Sequence, residues 1–528
     1  MEAHKKAVAT IAATVRQFFA QRKPYRIFHG STNSTRPRTA ATGHARSVDI
    51  SALGNVLSVD KVRKVALVEP NVPMDRLVAA TLPHGLVPPV VMEFPGITAG
   101  GGYAGTAGES SSFRHGFFDQ TIDRVEMVLA NGEVVEATPK PDDPRSDLFR
   151  GAAGSLGTLG ITTLMEMQLV KAHKYVQTTY HRCASVRETI ELIQKKADPS
   201  VAKYDYVDGI LFSKDHGVVV TGTMTDEEPT GPTQTFSHPS DPWFYLHVEE
   251  KTKSAATATV TEHIPLAEYL FRYDRGGFWV GRSAFSYWPF PFNKWTRWFL
   301  DDFLHTRMLY KALHASGQSA TYIVQDLAVP YKTAEAFVDY TAEKFGIWPL
   351  WLCPLQAPSR PTFHPHEVSS TKVLNDAPAS SDAAASTTTT LSTASTSTSS
   401  ALTSASPQIL NIGLWGRPPA ASSARCVSLN RDLEHRLAHE FGGMKWFYAH
   451  AYYSEDDFWK IYDRPAYEAL REKYHATSLP SVYDKLSTKV SNTQERRPWT
   501  RWPFAGVHGL RQAIKSKAYL PRTPPWRQ

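Results

Sequence analysis

A glycine-rich run constrains this chain more than any other part of its sequence. From Pro95 to Gly108 the sequence reads PGITAGGGYAGTAG, and Glu109, Ser110 and Ser111 follow directly. Glycine permits backbone conformations and close approaches that a β-carbon forbids, and backbone N–H groups in such segments bind anions without Lys or Arg. The run lacks the strand before it and the long helix after it that a Rossmann fingerprint requires. A flexible linker is therefore the alternative to a pyrophosphate-binding loop.

Composition sets the outer limits. With 528 residues, 42% of them hydrophobic and 21% charged, the chain can bury a large core and is long enough for two or more lobes. The net charge of +7 comes from residues 491–528, which carry eight Lys or Arg and one Glu. The rest of the chain is close to neutral, so the composition does not indicate a nucleic-acid partner.

Cysteine usage and hydropathy exclude further classes. The three cysteines, Cys183, Cys353 and Cys426, are far apart and form no Cys-x-x-Cys pair, which argues against a disulfide framework and a structural zinc site. We therefore predict no metal. No apolar run approaches the ~20 residues that a spanning helix needs, and the N-terminus has no secretory pattern.

Residue periodicity predicts a mixture of helices and strands. We expect helices over 5–21 and 72–83, strands over 25–28, 64–69 and 158–170, and a hairpin of 122–129 and 133–137 turning at Asn131-Gly132. A strand over 86–94 would be interrupted by Pro88 and Pro89. Farther along, strands are expected over 217–224, 321–330 and 409–415, and helices over 185–196, 332–345, 430–441 and 455–474. These patterns predict an α+β fold.

An Ala/Ser/Thr-rich stretch interrupts the second half of the chain. Residues 377–406 contain almost nothing that could build a core, so we expect a disordered insertion there. The predicted organisation is a first domain over 1–172, a second domain in two parts over 173–365 and 409–490, the insertion over 366–408, and a basic tail over 491–528. The ordered body is expected to end near Leu486.

Three segments of the first domain together resemble the FAD-binding domain of the vanillyl-alcohol oxidase superfamily, also called PCMH-type. They are YRIFHGSTNSTR (25–36), the glycine-rich run with its ESSS extension, and DLFRGAAGSLGTLGI (147–161). The resemblance implies a two-subdomain FAD-binding domain followed by an α+β substrate domain. The residues it implies for FAD binding are His29, Gly30, Ser31, Thr32, Asn33, Ser34, Thr35, Pro95, Gly96, Gly100, Gly101, Gly102, Tyr103, Gly105, Thr106, Gly108, Glu109, Ser110, Ser111, Gly157, Thr158, Gly160 and Ile161.

Seven further segments are similar to the Δ24-sterol reductase family within that superfamily. They are ESSS (109–112), RVEMVLANGEVV (124–135), GTMTD (222–226), PWFY (242–245), YLFRYDRG (269–276), WPLWLCP (348–354) and EDDFWKIYD (455–463). The resemblance implies reduction of the C24=C25 side-chain double bond of a sterol, or of a related isoprenoid alkene, with NADPH as the hydride source and FAD as the carrier. Because no separate nicotinamide-binding unit is visible, NADPH would reach the flavin from the substrate cavity.

Such a reaction needs a proton as well as a hydride, because an isolated alkene is a poor electrophile. A general acid is therefore required. The candidates near the expected flavin are Glu109, His115, Lys445 and Tyr452, each of which could instead be a structural residue. Some relatives tether FAD covalently, and His29 is placed where a tether could form; we predict non-covalent FAD.

Residues 278–303 hold eleven aromatic side chains interleaved with Arg282, Lys294 and Arg297. Trp and Tyr favour the bilayer interface, and Lys and Arg reach its head groups. A peripheral membrane surface is one interpretation, and an aromatic core or subunit contact is the other. The resemblance implies the cytoplasmic face of the endoplasmic reticulum, although the membrane anchor typical of animal and plant members is not seen; a soluble cytoplasmic location is the alternative.

Two other functions remain open at this level. One is an alcohol or sugar-lactone oxidase or dehydrogenase of the same superfamily, which would need a polar pocket. The other is a membrane-associated interaction protein in which FAD is structural. The sequence assigns neither an oligomeric state nor a particular sterol.

Overall fold

The structure is a computed structural model. It describes residues 1–30, 47–200, 203–254, 259–317, 321–357, 362–364, 408–418, 423–487, 504–517 and 524–527. The predicted insertion over 377–406 and the first-loop residues Ser31, Thr32, Asn33, Ser34 and Thr35 lie outside these ranges.

The strands form two main sheets and two small pairs. In chain order they are β1 (Arg26–Phe28), β2 (Ser47–Asp49), β3 (Val56–Asp60), β4 (Val65–Val68), β5 (Leu86–Val87), β6 (Ile122–Leu129), β7 (Val134–Ala137), β8 (Gly160–Gln168), β9 (Val170–Lys171), β10 (Tyr175–Cys183), β11 (Tyr206–Ser213), β12 (His216–Thr225), β13 (Thr259–Pro265), β14 (Ile323–Pro330), β15 (Leu350–Gln356), β16 (Gln408–Gly416) and β17 (Met444–Lys445). The first main sheet has the order β3-β4-β8-β6-β7, and the second β13-β10-β12-β11-β15-β16-β14-β17; β1 pairs with β2, and β5 with β9.

The α-helices flank these sheets. In chain order they are α1 (Glu2–Ala20), α2 (Met74–Thr81), α3 (Ala99–Gly105), α4 (Ser112–His115), α5 (Ser146–Ala152), α6 (Val186–Lys196), α7 (Phe244–Lys251), α8 (Leu266–Leu270), α9 (Arg282–Tyr287), α10 (Lys294–Phe299), α11 (Thr306–Ser316), α12 (Tyr331–Lys344), α13 (Ser423–His439), α14 (Glu455–Ile461), α15 (Arg464–Lys473), α16 (Val482–Leu486) and α17 (Phe504–Lys515). The predicted α+β class is confirmed.

The five-stranded sheet follows closely from the sequence. Helix α1 buries Val8, Ile11 and Val15, which lie on one face at helical spacing. The predicted hairpin is the β6–β7 pair, and Gly132 at its turn has a φ of +83°, a value that glycine adopts without strain. Both predictions are confirmed.

The eight-stranded sheet separates a helix layer from the interior of the molecule. Along β15, Leu350 and Leu352 pack in one core cluster with residues of α6 and α12. Trp351 and Leu355, which point to the opposite face, belong to the other core cluster and line an internal cavity. This alternation is the period-2 pattern of a strand buried on both faces.

Two local predictions were wrong, and one was confirmed in detail. The glycine-rich run is not entirely a loop, because Ala99–Gly105 forms the short helix α3, capped by the Thr98 side chain accepting from Gly101 N–H. The strand over 86–94 is interrupted at Pro88 and Pro89 as expected, and only Leu86–Val87 forms, since proline supplies no N–H to a ladder. The single helix expected over 455–474 is two, α14 and α15, because Asp463 caps a new helix at Ala466 N–H.

The basic tail contains a packed helix, so the ordered body does not end near Leu486. Helix α17 lies against α11, with Ala505, Gly509 and Ala513 buried. Beyond it, the Trp526 ring stacks on Phe271 with ring centroids 4.5 Å apart. The tail is therefore part of the folded body at these positions.

The aromatic segment 278–303 divides between core and surface. Phe278, Trp279 and Phe285 are buried, whereas Trp295, Trp298 and Phe299 are among the exposed side chains. The first part of the segment therefore belongs to the core, and the second part lies at the surface. Within the described residues, no helix is both long enough and apolar enough to span a bilayer.

Candidate active site and cofactor cavity

One cavity of about 1190 Å³ is lined both by the three predicted cofactor segments and by strands of the eight-stranded sheet. Its wall includes parts of β1, α3 and the turn before β8 on one side, and α9, α11, β14, β15 and β16 on the other. Pockets for single drug-sized ligands measure about 300–1,000 Å³. The cavity is therefore large enough for a cofactor and an apolar substrate together.

Two glycines show how closely the backbone forms this wall. A β-carbon built on Gly105 would have no atom within 4 Å, so the Gly105 backbone faces open space in the cavity. At Gly157, φ is +70°, and a β-carbon would lie 2.8 Å from Ile27 Cδ1. A side chain at residue 157 would be strained at this φ and would force the end of Ile27 to shift.

Many of the predicted FAD-binding residues line the cavity, and others support it from behind. Those in the lining are His29, Gly30, Gly100, Gly101, Gly105, Gly108, Glu109, Gly157, Gly160 and Ile161. Those described outside the lining are Pro95, Gly96, Gly102, Tyr103, Thr106, Ser110, Ser111 and Thr158. Several of the second group make internal hydrogen bonds: the Tyr103 hydroxyl donates to Phe149 O, and Trp446 Nε1 donates to Thr106 O.

Two cations lie beside the glycine segments, and the sequence analysis missed both. Within the described lining, the Lys and Arg residues are Arg26, on β1, and Lys485, on α16. Lys485 Nζ donates to Leu156 O at 2.9 Å, which fixes it against the third segment. Backbone N–H groups and two cations form a donor set that suits a pyrophosphate. The residues present therefore fit FAD.

The opposite wall is aromatic. Phe278, Trp351 and Trp415 all line the cavity. Their rings contact one another, with centroids 4.4 Å apart for Phe278–Trp415 and 5.7 Å apart for the stacked pair Trp351–Trp415. Such a wall offers a rigid apolar surface with few hydrogen-bonding groups, which favours a hydrocarbon ligand over a sugar.

Three carboxyl groups line the same cavity: Glu93, Glu109 and Asp326. Burial raises the pKa of Glu93 to about 8 and that of Asp326 to about 6. Burial also raises the pKa of Glu109 well above its usual value, and the neighbouring carboxylates Glu93 and Asp326 raise it further. Both effects favour the neutral, proton-carrying form of the Glu109 carboxyl.

Arg272 holds one side of this carboxyl cluster. Its Nη2 lies 2.9 Å from Glu93 Oε1 and 2.9 Å from Asp208 Oδ2. Asp208 Oδ2 also accepts hydrogen bonds from the Tyr273 hydroxyl at 3.0 Å and from Trp351 Nε1 at 3.0 Å. Because Trp351 is part of the aromatic wall, this hydrogen bond links the charge network to the wall.

Asp326 is held by a second network. Asn411 Nδ2 donates to Asp326 Oδ1 at 3.1 Å, and the Tyr448 hydroxyl also bonds to this carboxyl. Trp415 Nε1 donates to the Tyr448 hydroxyl at 3.2 Å. Sequence analysis identified none of these residues; the one available signal was that Tyr448 lies in the same KWFYAHAY segment as two of the proposed acids.

The other three proposed acids do not line the cavity. Lys445 is buried, and its Nζ donates to Glu434 Oε1 at 2.8 Å; burial lowers its pKa. Tyr452 lies nearby, with its backbone N–H donating to Glu434 Oε1 at 3.0 Å. His115 ends α4, and burial lowers its pKa.

Known proteins resemble this chain over most of its length. Residues 4–138 match the family model described as FAD binding domain. The chain is 29% identical to the human Delta(24)-sterol reductase over 442 residues, covering 82% of this chain and 76% of that protein. It is 31% identical to the Arabidopsis thaliana Delta(24)-sterol reductase over 322 residues, covering 58% of this chain and 56% of that protein.

A more distant relative carries a different name. Cytokinin dehydrogenase 4 of Oryza sativa subsp. japonica is 28% identical over 259 residues, which cover 45% of each chain. The match to the human Delta(24)-sterol reductase covers a larger share of this chain, 82%. The chain is an FAD-dependent oxidoreductase that is similar to the Delta(24)-sterol reductases over most of its length.

Proposed function

We propose that this chain reduces the C24=C25 side-chain double bond of a sterol, or of a related isoprenoid alkene, with NADPH. The observation that carries the proposal is that Glu109, an acid whose pKa burial raises, lines the same cavity as the glycine segments and the aromatic wall. Cofactor site, acid and apolar surface are thus continuous.

FAD is proposed to bind non-covalently along the glycine segments, in a PCMH-type domain over 1–172 whose two subdomains contain the β1–β2 pair and the five-stranded sheet. The substrate domain comprises 173–365 and 409–490. When bound, FAD supplies hydride transfer between NADPH and the alkene. Arg26 and Lys485 would neutralise the pyrophosphate, and His29 would contact the cofactor without a covalent bond.

Glu109 is the proposed proton donor. An isolated alkene accepts a hydride only when a proton reaches the other carbon, so the acid must be neutral before the reaction begins. Burial and the neighbouring carboxylates raise the pKa of Glu109 and so favour that form. Glu109 then regains a proton from solvent or from Glu93, which lines the same cavity. His115, Lys445 and Tyr452 are secondary candidates because they lie outside the lining.

The apolar wall is the proposed binding surface for the sterol, with the side chain directed toward Glu109. NADPH is proposed to enter through the same cavity and leave before the sterol binds. Peripheral association with a membrane, at the cytoplasmic face of the endoplasmic reticulum by family resemblance, would supply so apolar a substrate.

The proposal is tested by product analysis. Purified, FAD-loaded protein is incubated with NADPH and a detergent-dispersed Δ24-unsaturated sterol, and products are identified by mass spectrometry. A product heavier by two hydrogens, absent without NADPH, is expected. Oxidation of an alcohol or sugar lactone with no reduction of the alkene would overturn the proposal. Acid precipitation should release the flavin; flavin that stays with the polypeptide would contradict non-covalent binding.

A further inference from the structure

We propose that α10 and α17 form a docking surface for an anionic lipid bilayer at the mouth of the cavity. The inference deepens the proposed function, on which it rests for the identity of the lipid that passes through the surface. The surface consists of the exposed side chains of the two helices.

The two helices carry most of the large exposed apolar side chains of the described residues. On α10, Trp295 is 69% exposed and Phe299 77% exposed, and Trp298 is also exposed. On α17 the exposed apolar side chains are Phe504, Val507, Leu510 and Ile514. Side chains of this size are rarely grouped on a soluble surface unless the group binds something.

Helix α17 packs on its neighbour through one face, which explains why its large apolar side chains remain exposed to solvent. Ala505, Gly509 and Ala513 recur every four residues and face α11. At Gly509 a β-carbon would lie 2.7 Å from Ala312 O, so the helices approach closely. The large apolar side chains recur at spacings of three and four on a neighbouring face. Helix α17 therefore has a face of small residues against α11 and a second, exposed apolar face.

Basic side chains border the apolar stripe. Lys294 lies on α10, and Arg511 and Lys515 lie on α17, all of them exposed. Neither helix carries an acidic residue. Aromatic side chains bordered by Lys and Arg are the composition of an interfacial surface that binds anionic lipid.

The charge pattern also decides between a bilayer and a second copy of the chain. A two-fold dimer would set the surface against itself, and so bring Lys294, Arg511 and Lys515 of both copies together. Like charges at an apolar contact oppose association, whereas phosphate and carboxylate head groups complement them. The surface therefore fits a bilayer better than a self-contact.

The surface borders the cavity on both helices. Phe290 and Leu300, on either side of α10, line the cavity, as do Val507 and Leu510 of α17. The Tyr287 hydroxyl, also in the lining, accepts from Gly506 N–H at 3.0 Å, which joins α17 to the segment before α10. A sterol leaving the bilayer at this surface would enter the cavity without crossing water.

The test measures binding of the full-length, FAD-loaded protein to vesicles by flotation. Vesicles of phosphatidylcholine alone and with phosphatidylserine are compared, without turnover. The wild type is expected to float with the mixed vesicles. The variants Trp298→Ser/Phe299→Ser and Phe504→Ser/Ile514→Ser should each lower the partition roughly tenfold or more, because two apolar side chains are lost. Val62→Ser, which removes an exposed apolar side chain elsewhere, is the control and should bind unchanged.

Charge reversal provides an independent arm. Arg511→Glu/Lys515→Glu should weaken binding to the mixed vesicles by roughly tenfold or more, because each basic residue near a bilayer contributes about fivefold. Lys5→Glu/Lys6→Glu, on the exposed face of α1, is the matched control. No flotation of the wild type, or equal flotation of wild type and both surface variants, would overturn the proposal.

Oligomer size tests the remaining explanation, that the surface is a contact between two copies of the chain. If Trp298→Ser/Phe299→Ser converts a dimer to a monomer in size-exclusion chromatography and no vesicles bind, the surface is a self-contact and the proposal is wrong. Failure of vesicle binding would leave sterol reduction in detergent intact, so the two proposals fail separately.

Discussion

Arg272 Nη2 lies 2.9 Å from Glu93 Oε1, and both side chains are no more than 2% exposed. The same nitrogen lies 2.9 Å from Asp208 Oδ2. One guanidinium thus lies beside two buried carboxyls. Its positive charge reduces the number of these carboxyls that must be protonated. This arrangement makes the stability of the fold depend on the residues that surround the proposed acid.

Replacing Arg272 with Met should destabilise the protein by about 3–5 kcal/mol, because it leaves buried carboxyls without their cation. The measurement is urea denaturation of the FAD-loaded protein. Arg63→Met is the control: Arg63 is 62% exposed and pairs with Glu166, and exposed pairs contribute about 0–1 kcal/mol. Equal effects of the two substitutions would contradict a buried charge network.

Glu93 should make stability depend on pH. Burial raises its pKa to about 8, so the folded protein keeps this proton when the unfolded chain has lost it. Stability is then complete below the carboxyl pKa of the unfolded chain, falls as the pH rises to about 8, and is level above that. Glu93→Gln should make the decline between about pH 6 and about pH 8 less steep in urea titrations, leaving the contributions of the other buried acids with raised pKa, Glu109, Asp119 and Asp326. An unchanged slope would show that Glu93 is ionised throughout.

Blocking the two ends of the cavity should have different effects. Gly105→Leu places a side chain where a β-carbon meets no atom within 4 Å, so the fold should survive while flavin content falls. Ala284→Trp, on α9 at the other wall, should leave flavin content unchanged and raise the KM for sterol. Absorbance of the purified variants and steady-state kinetics measure both effects. Flavin loss in Ala284→Trp, or full flavin content in Gly105→Leu, would contradict the placement of the flavin beside Gly105 and of the sterol beside Ala284.

The contact between α17 and α11 should tolerate no side chain at residue 509. Gly509→Val would put a β-carbon 2.7 Å from Ala312 O, and overpacking of this kind costs about 1–3 kcal/mol. Amide hydrogen exchange should therefore increase in α17. Gln512→Ala, exposed on the same helix, is the control. Unchanged protection of α17 in Gly509→Val would mean that the helix does not pack there.

Local patterns predicted elements whose signals lie within a few residues. The spacing of Val8, Ile11 and Val15 predicted α1, and Asn131-Gly132 predicted the hairpin. The split between α14 and α15 was missed because the cap at Asp463 competes with an otherwise continuous apolar pattern.

The site was predictable only where residues act through local backbone shape. The glycine segments could be recognised along the chain, and the predicted acid Glu109 lies at the end of one of them. Glu93, Asp326 and Tyr448 reach the cavity from three separate parts of the fold, so only tertiary packing brings them together. Helix α17 was missed because its charge suggested a tail, whereas its Ala505, Gly509 and Ala513 spacing makes a packing face.

The central claim, that one cavity joins flavin reduction to proton-assisted sterol reduction by Glu109, is tested most directly by anaerobic half-reactions. NADPH should bleach the flavin of wild type and Glu109→Gln at similar rates. A Δ24-unsaturated sterol should restore the wild-type absorbance, and restore that of Glu109→Gln roughly 10²–10⁴-fold more slowly, because the amide cannot donate the proton. Equal recovery in both proteins would exclude Glu109 as the acid, and a bound flavin that NADPH fails to bleach would contradict the reductase itself.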